Sequence, residues 1–151
     1  MEKEEHDLVY QVVGYAMEVI NELGHGLREK TYEKGLIVEF QRTDIFFSQQ
    51  KVYEVYYKNV HIDDYIPDLL VKDELIVEIK VAEKICDEHI GQVINYLKIS
   101  RCSLGLILNF KHPKLEWKRV IFSENSSTAN ERELTQMKFP AASWRCIKNK
   151  Y

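Results

Sequence analysis

Apolar residues recur at i, i+3 and i+4 from Leu8 to Leu23, through Val9, Val12, Val13, Ala16, Val19 and Ile20. That period predicts an amphipathic helix, and Gly24 is a natural stop for it. A break at Gly24-His25-Gly26 leads to a second helix over about Arg28 to Arg42, with Leu36, Ile37 and Phe40 on its inner side. The pattern turns strand-like at Ile45. Val52 to Tyr57 is β-branched and aromatic, Lys58-Asn59 reads as a hairpin turn, and Val60 to Val71 as the next strand. Leu75 to Val81 follows across the polar Lys72-Asp73-Glu74. A third helix is predicted over about Asp87 to Ser100, with Ile90, Val93, Ile94 and Leu97 inward. Leu104 to Phe110 is a continuous apolar run, as in a buried strand, and Leu115 to Phe122 is one strand more. The order is ααβββαββ, an α/β mixed sheet flanked by helices. Residues 1–122 form the expected domain, and residues 123–151, Ser/Asn/Thr-rich at their start, an expected flexible or peripherally docked tail.

The second hairpin of this pattern carries the candidate chemistry. With Lys72 to Glu74 as a three-residue turn, Val71 pairs with Leu75, and the register sets Asp68 opposite Glu78. Alternation puts Lys80 on the same face as Glu78, with Val77 and Ile79 on the other. Two carboxylates offer hard oxygen donors to Mg²⁺ or Mn²⁺, and such an ion polarises a phosphodiester and lowers the pKa of a bound water. Lys80 would orient that water, help deprotonate it, or stabilise the developing charge. Taken alone, the spacing is more often that of a solvated hairpin with cross-strand ion pairs.

Size and composition narrow the setting. The 151 residues suit one domain, and 45% hydrophobic with 30% charged residues is ordinary for a globular chain. No apolar run approaches the ~20 residues of a membrane span, and MEKEEHD carries no secretory h-region. Cys86, Cys102 and Cys146 lie far apart, which argues for reduced thiols in an intracellular, cytoplasmic protein. The net charge of −3 does not draw nucleic acid to the whole molecule, so phosphate binding would need a local basic patch or metal held by acids.

Helical spacing adds residues to the constellation. Glu29 and Tyr32 stand one turn apart at the start of the second helix. Gln92 and Tyr96 are i, i+4 on the third, with His89 on the same side. Gly26/Glu29/Tyr32, Pro67-Asp68, Glu78-Ile79-Lys80, Gln92/Tyr96 and Gly105-Leu-Ile-Leu-Asn-Phe110 occur in that order. On these motifs the chain, from about Val9 to Phe122, resembles the GxxExxY proteins of the PD-(D/E)xK nuclease superfamily.

The resemblance implies a restriction-endonuclease-like core. It makes Asp68 and Glu78 metal-binding acids, the Ile79 carbonyl a backbone ligand, Lys80 the catalytic lysine and Glu29 an additional acid. Gln92 and Tyr96 are similar to the QxxxY element of the RecB and phage-exonuclease branch, which supports the site and the DNA backbone. Tyr32 joins them as a supporting residue. His25 stands where Pro is expected, and either alters the helix entry or adds a phosphate contact. The implied function is a Mg²⁺- or Mn²⁺-dependent nuclease acting on DNA, in repair, end processing or mobile-element biology. A catalytically silent nucleic-acid- or protein-binding module and an RNA-directed nuclease are the alternatives. A homo-oligomer or protein partner would supply specificity to so short a chain. Tyr53, Tyr56 and Tyr57 are expected as sheet packing, Cys86 and Cys102 as small core residues, Glu83 as a solvated acid.

Overall fold

The computed structural model describes residues 2–123, with side chains from Asp7 onward, so the expected tail lies, past Ser123, outside the described residues. Its elements are α1 (Glu2–Leu23), α2 (Glu29–Arg42), β1 (Phe47–Gln49), β2 (Tyr53–Tyr57), β3 (Val60–Tyr65), β4 (Leu69–Val71), β5 (Leu75–Lys80), α3 (Asp87–Ser100), β6 (Leu104–Asn109) and β7 (Glu116–Ile121). Five strands form one mixed sheet in the order β1-β4-β5-β6-β7. Only β5 and β6 run parallel, and α3 is the crossover that such a pair requires.

Alternation along the central strands supplies two cores. Leu69, Val71, Leu75, Val77 and Ile79 pack with Val12, Ala16, Leu36 and Phe40 of α1 and α2. Leu70, Ile76 and Ile107 face the other way, onto Val93, Tyr96 and Leu97 of α3. A Cβ on Gly105 would collide with Val93, so glycine in β6 is what lets α3 lie against the sheet.

The predicted order is corrected at two points. Val60 to Val71 is two strands, not one, because the chain breaks at Ile66-Pro67-Asp68. Proline has no N–H for a ladder, and the halves serve different sheets: β3 pairs with β2 in a separate hairpin, β4 with β1 and β5. The short β1, seen in the sequence only as strand-like composition, forms the sheet edge beside β4. Lys58-Asn59 is the expected two-residue hairpin turn, both residues in the left-handed region that such turns demand. Tyr56 and Tyr57 are 57% and 61% exposed on that hairpin and do not pack as expected, because only its other residues, such as Tyr53 and Val55, meet the α3 core. Cys102, following α3, packs half-buried against that helix's core as expected, whereas Cys86, half-buried before α3, belongs to neither core. Among the described residues no helix is long and apolar enough to cross a membrane.

Candidate active site

The β4–β5 register is Val71↔Leu75, Leu70↔Ile76 and Leu69↔Val77, and its continuation sets Asp68 against Glu78. Side chain and backbone interlock there. The Asp68 N–H donates to Glu78 Oε1 at 3.1 Å, and the Ile79 N–H donates to Asp68 Oδ2 at 2.8 Å. From the far side the Gln50 N–H holds the Asp68 carbonyl at 3.0 Å, so the edge strand pins the residue that Pro67 frees from the ladder. The proline break and the added edge strand therefore belong to one device: an acid at a strand end, fixed from both sides.

Lys80 is 4% exposed on the same face as Glu78, its Nζ 3.7 Å from Glu78 Oε2. That ammonium donates to Gln92 Oε1 at 2.8 Å. Gln92 Nε2 in turn donates to the Tyr96 hydroxyl at 3.1 Å, and that hydroxyl donates to the Ile66 carbonyl at 3.4 Å. A chain of polar contacts thus runs from the lysine through α3 to the break that presents Asp68. The i, i+4 spacing of Gln92 and Tyr96 is what allows one helix face to bridge both ends.

The helix-start residues reach the site from the other core. The Glu29 carboxylate accepts the Val81 N–H at 3.4 Å, just past Lys80. Tyr32 is fully buried and stacked on Phe110 at 4.2 Å, and its hydroxyl donates to the Gly24 carbonyl and accepts the Leu27 N–H. It locks the turn that delivers Glu29. Gly26, at φ 77°, donates its N–H to the Phe110 carbonyl, and His25 Nδ1 lies 3.0 Å from the Lys111 carbonyl. His89 Nδ1 accepts the Cys86 N–H in the first turn of α3, and Glu83 is a solvated acid near Lys111 and His112.

Electrostatics set Asp68 and Glu78 apart from the other acids. Burial, above all, pushes the Asp68 carboxyl up to about 6. The Ile79 N–H and Lys80 oppose this, and the charges of Glu33 and Glu29 add to it. Burial and then the Asp68 charge push Glu78 well above the usual carboxylate range, with Lys80 only partly offsetting them. A buried acid and a half-buried one held together this way are short of positive charge. Their carboxylate oxygens are hard donors of the kind that suit a small divalent cation.

Glu29 does not close a three-carboxylate cluster with them. Among the described residues, the one set of three side-chain donors within 4.8 Å of one another is Glu54, His61 and Asp64, all exposed on the β2–β3 hairpin. That trio was not foreseen, since its residues pair across a turn whose register carries a bulge.

Sequence reasoning also missed Glu33, Asn109 and Glu116. Glu33 is 3% exposed on α2, although its place one turn past Glu29 was open to the same spacing argument. Asn109 brackets Ala82 with its amide, donates to Glu116, and Glu116 accepts the Ile85 N–H; together they fold the loop that follows Lys80. Gly26, Arg28, Glu29, Glu33 and Asp68 line an open cleft of about 620 Å³, with Lys30 and Gln50 beside them.

The family model described as PD-(D/E)XK nuclease superfamily matches residues 6–120. No curated protein matches. Among solved structures the chain is similar to SSO0001, at 12% identity and a TM-score of 0.49 over 72% of this chain. It is also similar to an alkaline exonuclease from Laribacter hongkongensis, at 14% identity and a TM-score of 0.44 over 66% of this chain. It spans 59% of the length of each of them.

Proposed function

The chain belongs to the PD-(D/E)XK nuclease superfamily, and from that premise we propose that it is a Mg²⁺- or Mn²⁺-dependent nuclease of the GxxExxY type that hydrolyses DNA phosphodiesters. The observation that carries this reading is the interlocked pair of half-buried Asp68 and buried Glu78, with Lys80 beside it and a deficit of positive charge. The mixed sheet flanked by helices is consistent with a restriction-endonuclease-like fold. Free Cys86 and Cys102 support the intracellular placement, and a homo-oligomer or protein partner remains the source proposed for specificity.

Asp68, Glu78 and the Ile79 carbonyl are the proposed cation ligands, with Glu29 as the additional acid. When bound, the divalent ion neutralises phosphate charge and lowers the pKa of a water. The protein's own groups do the rest. The Ile79 N–H keeps one Asp68 oxygen turned toward β5, and Gln50 prevents the strand end from drifting. Gln92 fixes one direction of the Lys80 ammonium, leaving its remaining protons for the attacking water and the phosphoryl oxygens. Hydrolysis then forms a bond from water oxygen to phosphorus and breaks one ester P–O bond; the water proton passes to solvent, and the leaving ester oxygen takes a proton from solvent or from the Lys80 ammonium.

The test is cleavage of linear, nicked, circular and single-stranded DNA, and of RNA, in Mg²⁺ or Mn²⁺ against a chelator. The expected result is metal-dependent DNA cleavage that Asp68→Ala and Lys80→Ala each reduce about a thousandfold or more. Binding without cleavage of any substrate would mark a catalytically silent module instead.

A further inference from the structure

Glu33 is a buried acid that the proposed chemistry does not use. Both of its oxygens accept Lys30 Nζ, at 3.1 and 3.0 Å, and Oε1 also accepts Gln49 Nε2 at 2.6 Å. Gln49 ends β1 and precedes Gln50, which holds the Asp68 carbonyl. One strand end therefore anchors both the candidate metal acid and the partner of Lys30. Lys30 itself lines the cleft with its side chain 48% exposed.

Stability does not account for this arrangement. A lysine in the first turn of α2 faces the positive end of the helix dipole. A buried carboxylate loses its hydration, and a half-exposed ion pair returns little of that cost. Fixing Lys30, Glu33 and Gln49 also removes rotamer freedom, up to ~2 kcal/mol for each long side chain. An apolar residue packed between Tyr32 and Leu36 would serve the core at lower cost.

What the arrangement achieves is a fixed ammonium at the mouth of a cleft whose acids are Glu29, Glu33 and Asp68. A polyanion entering that cleft meets repulsion, and a cation held at the rim offsets it.

We propose that Lys30 contacts a backbone phosphate of the polynucleotide substrate and that Glu33 is the positioning residue that holds it there. The inference rests on the proposed reading only in taking this cleft as the one that receives the polynucleotide.

Binding of a fluorescent duplex oligonucleotide, measured in Ca²⁺ over a series of salt concentrations, tests it separately from cleavage. Lys30→Met, and Glu33→Asp, which keeps the charge but shortens its reach to Lys30, should each weaken binding about five- to tenfold, and Lys30→Met should reduce the slope of log affinity against log salt by about one. Lys30→Arg should restore the slope. Lys34→Met, an exposed lysine one turn on, should leave it at the wild-type value. In Mg²⁺ the Lys30→Met loss should appear as a raised KM with kcat within about twofold.

Wild-type affinity and slope in Lys30→Met, or no binding by the wild type at all, would overturn the inference. A wild type that binds with the Lys30-dependent slope yet cuts nothing would instead sink the nuclease reading and keep this one.

Discussion

Among the described residues, two groups of titratable side chains are candidates to hold a cation, and they differ most in how much water they keep. Glu54, His61 and Asp64 meet on the exposed face of the β2–β3 hairpin, with His61 Nε2 2.6 Å from Asp64 Oδ1. Asp68 and Glu78 are two side chains rather than three, yet Glu78 is 1% exposed and Asp68 is held by backbone on both sides. On the hairpin, the hydrogen bond to Asp64 raises the His61 pKa, so the trio supplies its own positive charge by taking a proton. In the cleft, burial raises both carboxyls, and Lys80 does not make up the deficit. Proximity of donors is a poor guide to demand for a metal. Demand follows from charge that the fold has removed from water and not fully paired.

The largest expected effect separates the two groups by activity. Lys80→Ala should cut metal-dependent cleavage by about a thousandfold or more. His61→Ala, on the hairpin, should leave kcat/KM within about twofold. Equal losses in both variants would erase the distinction.

Stability against pH gives a smaller effect with a definite sign. The folded pKa of Asp68, about 6, lies above its ordinary value of 3.8. The folded state thus holds a proton that the unfolded state has released. Its contribution is full below about pH 3.8 and is lost as pH rises through about 6, a loss on the order of 2–3 kcal/mol in the metal-free protein. Glu78, also raised, adds in the same direction. Denaturant titrations at pH 4.5 and 7.5 should show that decline, and saturating Mn²⁺ should reverse it at the higher pH, where the carboxylates are ionised. A metal-free protein that gains stability over that range would contradict the burial account.

Smaller still is the effect of removing the charge while keeping the shape. Asp68→Asn retains an oxygen for the Ile79 N–H and relieves repulsion with Glu78 and Glu33, so the metal-free variant should be more stable by about 1 kcal/mol at pH 7.5. A melting temperature some 2–4 °C higher is the readout. A lower melting temperature would mean that the negative charge itself serves the fold.

The contrast also explains what the sequence made legible. The Asp68–Glu78 register followed from turn length and strand alternation, both local and periodic, and it carried Lys80 with it. Helix spacing put Gln92 and Tyr96 on one face, but spacing alone fits a surface pair, and only the motif tied them to the site. The Pro67 break was readable only as a motif. That it splits one apolar run between two sheets depends on where the hairpin docks, which no local pattern encodes. Helix spacing offered Glu33 one turn past Glu29; what no local pattern showed is its burial against Gln49, which is distant in sequence. The hairpin trio escaped because a bulge between Val55 and Tyr56 shifts the pairing that brings His61 near Glu54.

Anomalous diffraction from crystals grown with Mn²⁺ addresses the central claim most directly. The peak should lie between the Asp68 and Glu78 carboxylates, near the Ile79 carbonyl. A peak confined to Glu54, His61 and Asp64, or none at either place at saturating manganese, would contradict it.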